Sequence, residues 1–420
     1  MNYNRKIIGD NIGFSTVIDE KFNTCSLYVN FITELDKSTV SEYAFVSGIL
    51  STNNSELKTF AELNERLFSL YGSDIHSSVR KRGDLQIITI SSSWIHNRFA
   101  LENENISAQM LETVKNCIFN PYAENNAFND EAFRITRKDI LDSIITEIND
   151  KRSYTINRTA RLAYRGEPAE LPSHGTLETA QAVTPESAFE AYKKLMQTAQ
   201  VEIFYVSPEK DDSVADIFAE NFAKTGRQPA SFPFRSASPV KPAPELVTEK
   251  LDVGQAKIAF SLKSDSTDYD ALYLMSLILG GTPVSKLFVN VREKLSLCYY
   301  CSCRYNEPKN SFIIDCGVEK ENIPAATKEI FNQLDEMKNG NISDDEIRSV
   351  ILALENGYTA VGDTPASYAS WYFERFCDGD YITPLEKYKR ICSVSKERIV
   401  QAARTVSHDC TFHMLGKEVE

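Results

Sequence analysis

The sequence predicts an α+β protein made of two duplicated domains, each a largely antiparallel sheet covered by helices, arranged as a clamshell. Three observations lead there. From Thr225 to Glu245, five prolines among small residues interrupt every periodic pattern and mark a linker. On either side of it the same order of strand, two helices, hairpin, helices and closing strand can be read. Hairpins mixed with runs of helices suit helices laid over one face of an antiparallel sheet. A chain of 420 residues is also long for one core and suits two domains. The expected division is a first domain over 1–224, a linker over 225–247 and a second domain over 248–420.

In the first half, Cys25 to Glu34 reads as a buried strand, followed by helices over Val40 to Leu50 and Thr59 to Leu70. Strands over Ser73 to Arg80 and Leu85 to Ser93 flank a Lys-Arg-Gly-Asp turn, which puts the basic run Arg80-Lys-Arg82 in solvent. Long helical stretches follow around 98–119 and 130–163. Thr184-Pro-Glu186 then opens a helix that leads into a closing strand, Val201 to Val206.

The second half repeats the series. Ala256 to Lys263 is the strand, and Tyr269 to Leu279 and Ser285 to Leu295 are the helices. Cys298 to Tyr305 and Ser311 to Val318 form the hairpin. A helix with Ile330, Phe331, Leu334 and Met337 on one side comes next. Ser343-x-x-Glu346 is a capping box opening another helix, and Ser395-Lys-Glu397 starts the helix before the last strand, Cys410 to Leu415.

Composition narrows the function. Hydrophobic residues at 42% and charged residues at 25% describe a globular protein. The first twenty residues are polar and mixed in charge, and no apolar run reaches membrane-spanning length. Nine cysteines at irregular spacings suit reduced thiols, so a cytoplasmic location is expected. A net charge of −13 argues against a nucleic-acid partner and leaves basic or neutral peptides as ligands.

The most distinctive segment runs from Gly280 to Tyr299. It has a glycine pair, Ser285-x-Leu-Phe288, Arg292-Glu-Lys294 and a tyrosine seven residues after the arginine. In these elements it resembles the second domain of the insulinase/pitrilysin metallopeptidases. Together with the repeated halves, the resemblance extends over nearly the whole chain. It implies that Arg292 and Tyr299 reach toward a peptide bound at the zinc of another domain, where guanidinium and phenol could hold a carbonyl and its oxyanion. The plainer alternative is an Arg292 that pairs with a neighbouring glutamate and a Tyr299 that packs on a sheet.

Active members of that family carry His-x-x-Glu-His on a first-half helix, placing two imidazoles on one face with a glutamate to activate water. None of the five histidines here is spaced for this. Counting back from Ser69-Leu-Tyr-Gly72, the three chemical slots fall on Phe45, Gly48 and Ile49, which cannot bind zinc or move a proton. The glutamate pair that the resemblance leads one to expect downstream is also missing from Lys138 to Ile145. No metal is therefore expected in this chain, and zinc is expected in a partner. Cys298, Cys301 and Cys303 include a Cys-x-x-Cys, but no second pair completes a four-ligand site, so Cys301 and Cys303 are expected to share a buried strand face. His76 and His96 are expected at the surface or satisfied in the core.

The resemblance to the small bacterial two-subunit peptidases, including proteins associated with elongation factor P modification, implies a chain inactive alone. Such a chain would join a homologous zinc-bearing subunit and a peptide substrate, with a homodimer possible in isolation. A non-enzymatic scaffold or peptide-holding protein is the alternative. A self-sufficient enzyme of another mechanism has no Cys, His and acid arrangement to support it.

Overall fold

In the computed structural model, which describes residues 1–417, the chain packs into two compact units. The first comprises 1–145, 171–233 and 361–381; the second comprises 146–170, 234–360 and 382 onward. Each half of the sequence thus lends a segment to the other unit, which a cut in the linker does not capture. From Phe234 the Pro-rich stretch belongs to the second unit, where Ser236 and Ser238 donate backbone hydrogen bonds to the Pro308 and Lys309 carbonyls at 2.8 and 3.0 Å.

The first unit is built on strands β1 (Asn2–Gly9), β2 (Ile12–Ile18), β3 (Thr24–Glu34), β4 (Asp74–Arg82), β5 (Leu85–Ile95) and β6 (Gln200–Ser207), in the order β1-β2-β6-β3-β5-β4. Only β2 and β6 run parallel. The second unit has β7 (Glu245–Leu251), β8 (Ala256–Lys263), β9 (Cys298–Asn306), β10 (Ser311–Val318) and β11 (Ser407–Gly416), in the order β9-β10-β8-β11-β7, with only β7 and β11 parallel. From β2 to β4 and from β7 to β9 the strand order and the sense of every pairing are the same. One topology therefore occurs twice, as the repeated sequence signals require. The hairpin strands β1 and β2 and the edge strand β7 were not legible: β1 and β7 expose much of their length, so neither shows a clean apolar face.

The exchanged segments explain why the central strands are buried on both faces. Helix Pro365–Asp378 packs on β3 and β6 in the first unit, and helix Lys151–Ala163 packs on β8, β10 and β11 in the second. The helical stretch expected around 130–163 consists of two helices, Asp130–Thr146 and Lys151–Ala163. The Asp150 carboxylate accepts from the Arg152 and Ser153 amides, and this cap begins a new helix where the chain passes to the second unit. Arg152 then fixes that helix, with its guanidinium on the buried Asp315 carboxylate at 2.5 and 3.2 Å and over the Tyr300 ring at 4.2 Å.

Arg80-Lys-Arg82 is not a solvated turn, as the sequence reading expects, but the end of β4. Arg82 is buried, donating to Asp378 at 2.6 Å and Glu374 at 2.8 Å, while Arg80 reaches Glu374 at 3.3 Å. The partners sit on helix Pro365–Asp378, almost 300 residues later, so no local pattern announces them. Among the described residues no helix is long and apolar enough to cross a membrane.

Candidate functional site

Helix Val40–Leu50 carries the segment where a metal motif would stand. One of its faces, Ala44, Ser47, Gly48 and Ser51, borders a cavity of about 420 Å³ in the first unit. Across the cavity lie Thr136, Asp139, Ile140 and Ser143 of helix Asp130–Thr146, and Ile75 to Val79 of β4 form another wall. The structure thus brings the motif helix and the downstream segment into one cavity. It also corrects the assignment of slots. Phe45 and Ile49 are fully buried in the hydrophobic core, Phe45 against Phe133 with ring centroids 5.2 Å apart, and only Gly48 of the three borders the cavity. The residues that face it at spacings i, i+3 and i+4 are Ala44, Ser47 and Gly48. Counting back from a distant landmark missed this by one residue, which on a helix rotates a side chain by about 100°.

In the corrected register the donor set is an alanine, a serine hydroxyl and a glycine, which does not fit zinc. The cavity is instead rich in hydroxyls. Ser51 Oγ donates to the Gly48 carbonyl at 2.9 Å and to Ser77 Oγ at 3.0 Å, and Thr52 Oγ1 donates to the Gly48 carbonyl at 2.8 Å. Among the described residues no group of three or more His, Cys, Asp or Glu side chains is placed to hold a metal ion.

Arg292 and Tyr299 lie on one short connection in the second unit. The expected helix over 285–295 is present as a wide, π-type turn over Leu287–Lys294, where the Leu295 amide bonds the Asn290 carbonyl at 3.2 Å. It ends at Ser296, whose φ of 49° lies in the left-handed region. The chain then enters β9 through a β-bulge. Cys298 pairs with Val318 and Tyr300 with Gly317, so Tyr299 is the extra residue and its side chain is 62% exposed. The bulge keeps Tyr299 off the sheet face, so one half of the plainer alternative fails. Its other half is present: Arg292 contacts Glu293 at 3.2 Å and lies over the Phe288 ring at 4.4 Å. Both Arg292 and Glu293 remain well exposed. The Glu319 carboxylate near the Tyr299 hydroxyl holds its pKa above the usual tyrosine value, which favours the protonated, donating phenol.

The glycine pair has a structural basis at its first member. A Cβ on Gly280 would stand 2.6 Å from the Cys303 amide nitrogen, so the chain before the Arg292 turn approaches β9 more closely than any side chain allows. Cys301 and Cys303 share the buried face of β9, as the sequence predicts, and Cys316 of β10 lies opposite Cys301. His76 is exposed on the edge strand β4, and His96 Nε2 is 2.8 Å from a Glu209 carboxylate oxygen.

Residues 182–354 match the family model described as the peptidase M16 inactive domain. A probable inactive metalloprotease of Bacillus subtilis, YmfF, is 26% identical over 404 residues, which cover 95% of this chain and 94% of that protein. The crystal structure of a conserved protein from Enterococcus faecalis V583 shares the fold with a TM-score of 0.92 and 24% identity, covering 100% of both chains. That of a peptidase M16 inactive domain from Pseudomonas fluorescens gives a TM-score of 0.81 at 15% identity, covering 100% of this chain and 99% of its own.

Proposed function

Starting from a chain that belongs with the inactive, peptidase-like proteins of the M16 family, we propose that it is the non-catalytic subunit of a heterodimeric zinc metallopeptidase. It supplies Arg292, Tyr299 and half of a peptide chamber to a homologous, zinc-bearing partner in the cytoplasm. The observation that supports this most is the exposure of Tyr299 on a bulge of β9, seven residues after an accessible Arg292, in a chain whose own motif helix offers no ligand set. An idle copy has no need to keep a phenol in solvent.

Metal chemistry belongs to the partner, where zinc would polarise the scissile carbonyl and activate water. The contribution of this chain is to hold the substrate. The Arg292 guanidinium offers up to five N–H donors, and the Tyr299 O–H adds a neutral donor. Aimed at a peptide carbonyl, such donors bind more strongly as negative charge develops on the oxygen, and this difference lowers the barrier. Glu293 and Glu319, which hold them in the free chain, are weak surface partners that a substrate could displace.

The test is reconstitution. Alone, the purified chain should hold no stoichiometric zinc and cleave no peptide. Mixed with a homologous subunit carrying His-x-x-Glu-His, it should restore chelator-sensitive cleavage, and Arg292→Ala should lower kcat/KM by roughly 100-fold. Zinc-dependent cleavage by the isolated chain would overturn the proposal.

A second reading, a scaffold that holds peptide without cleavage, draws on the hydroxyl-lined cavity beside Gly48. It predicts peptide binding by the isolated chain that Arg292→Ala leaves unchanged.

A further inference from the structure

Three sulfurs meet on the helix-covered face of the second sheet, at its β9 edge. Cys301 and Cys316 are directly opposed across β9 and β10. The extra residue Tyr299 brings Cys298 onto the same face, beside Cys301 and Cys316. The Cα atoms of Cys301 and Cys316, being directly opposed, stand about 4.5–5.5 Å apart, inside the span of a disulfide, while Cys298 lies opposite Val318, diagonal to Cys316 on the same face.

Within this trio the sulfurs are not equivalent. Burial pushes the thiols of Cys117, Cys303, Cys377 and Cys410 up, as it should for a thiolate removed from water. Cys298 is pulled down, first by hydrogen bonds from Cys301 and then Cys316, and also by the nearby Arg292 charge. Its two neighbours are raised correspondingly. Of the three thiols, Cys298 is the one whose surroundings favour ionisation. Cys298 is also the most accessible of the three at 8%, against 4% and 0%, and it lies on an edge strand beside the exposed bulge.

We propose that Cys298, Cys301 and Cys316 form a peroxide-reactive thiol site in which Cys298 attacks and one neighbour resolves it to a disulfide. The Cys298 thiolate attacks one peroxide oxygen, breaks the O–O bond and becomes a sulfenic acid, while the departing hydroxide takes a proton to leave as water. The thiol of Cys301 or Cys316 then displaces the sulfenic oxygen as a second water. In sum, two thiols and one hydrogen peroxide give one disulfide and two waters; two sulfurs are oxidised and both peroxide oxygens reduced. Resting on the proposed pairing, a further consequence follows: pulling Cys298 toward its partner moves Tyr299, the next residue, and the bulge that presents it, so oxidation switches off the donor pair.

The test treats the full-length chain with hydrogen peroxide, alkylates remaining thiols under denaturing conditions and maps cysteine peptides by mass spectrometry. Expected is a dithiothreitol-reversible disulfide joining Cys298 to Cys301 or Cys316, formed about tenfold faster than oxidation of the exposed Cys392. Dimedone should trap the sulfenic acid on Cys298 in the wild-type chain, a readout that needs no variant. Cys298→Ser should abolish the disulfide and Cys392→Ser should not. The site is refuted if Cys392 is oxidised while all three sulfurs stay alkylatable, or if Cys301 and Cys316 bridge at the same rate in Cys298→Ser. With a zinc-bearing partner, the oxidised chain should fail to restore cleavage until reduced. Undiminished cleavage by the oxidised chain refutes the switch, whereas no cleavage even by the reduced chain refutes the pairing and leaves the mass-spectrometric result to decide the thiol site.

Discussion

Gly48 faces Thr136 across the cavity so closely that a Cβ on the glycine would stand 2.5 Å from the threonine Cγ2 and 3.1 Å from Oγ1. A glycine inside a helix costs roughly 1 kcal/mol relative to alanine, so its place here needs a reason, and the approach of helix Asp130–Thr146 provides one. Gly48→Ala should therefore destabilise the protein by about 1–2 kcal/mol, despite its better helix propensity. With Thr136 first cut back to alanine, the same change should become stabilising by about 0.5 kcal/mol. Urea unfolding of the four proteins in this cycle checks the argument, and an equal effect of Gly48→Ala in both backgrounds would sink it.

Arg82 and Asp378 make the second prediction. Their side chains are 6% and 3% exposed, so neither can turn to water if the other is lost. Arg82→Met should cost roughly 3–5 kcal/mol by leaving a buried carboxylate short of a partner. Arg375, 2.5 Å from the same carboxylate, should keep the loss toward the lower end. Asp378→Asn in the Arg82→Met background should recover part of it. Thermal melts that leave Arg82→Met within 0.5 kcal/mol of wild type, about the spread of ordinary surface changes, would show that the pair adds nothing.

These two contacts also show what a sequence can and cannot reveal. Both sheets were anticipated through their inner strands, because β3, β5, β8 and β10 are runs of apolar and β-branched residues whose pattern is local. The Arg292 to Tyr299 segment was legible for the same reason, as a string of spaced residues in one short stretch. The role of Arg82 was not, since it depends on a helix that leaves the second half of the sequence to cover the first sheet. The bulge at Tyr299 was equally hidden. Nothing in Cys298-Tyr-Tyr300 tells which tyrosine is extra until β10 is laid beside it and Gly317 is found opposite Tyr300. The motif helix failed in a third way: its loss was plain, but its register needed the side chains in place before Ala44, Ser47 and Gly48 could replace Phe45, Gly48 and Ile49.

Arg292→Ala and Tyr299→Phe should separate stability from activity. Neither side chain is buried, and their contacts to Glu293 and Glu319 are surface pairs. Each variant should therefore unfold within about 0.5 kcal/mol of wild type. If the pair serves a substrate, the same variants should depress cleavage by the reconstituted enzyme. Differential scanning calorimetry beside peptide kinetics makes the comparison. A large loss of stability in either variant would reassign that residue to a structural role.

Glu202 lies on β6 with no exposed surface, and its charge is held by Arg5 of β1, Nε to Oε2 at 3.1 Å and Nη2 to Oε1 at 2.6 Å. The two reach each other over Gly13 of the strand between them, where any Cβ would fall 2.3 Å from the carboxylate. Burial raises the Glu202 pKa above its ordinary 4.5, and the Arg5 bonds offset this only in part. The sign follows from linkage. A carboxyl whose pKa is higher folded than unfolded binds more protons in the folded state across that window. Its contribution is complete below the unfolded pKa and is lost as pH rises through the folded one. Relative to Glu202→Gln, wild type should thus lose stability as pH climbs from about 4.5 through that raised value, with no further change above it. Arg5→Met removes the counter-charge, moves the folded pKa higher and should cost roughly 3 kcal/mol at neutral pH, with the deficit shrinking as the medium is acidified and the carboxyl takes up its proton. Urea melts of the three proteins at a series of pH values give the slopes. A wild-type minus Glu202→Gln difference that is flat, or that rises with pH, would mean that Arg5 fully compensates the burial of its partner.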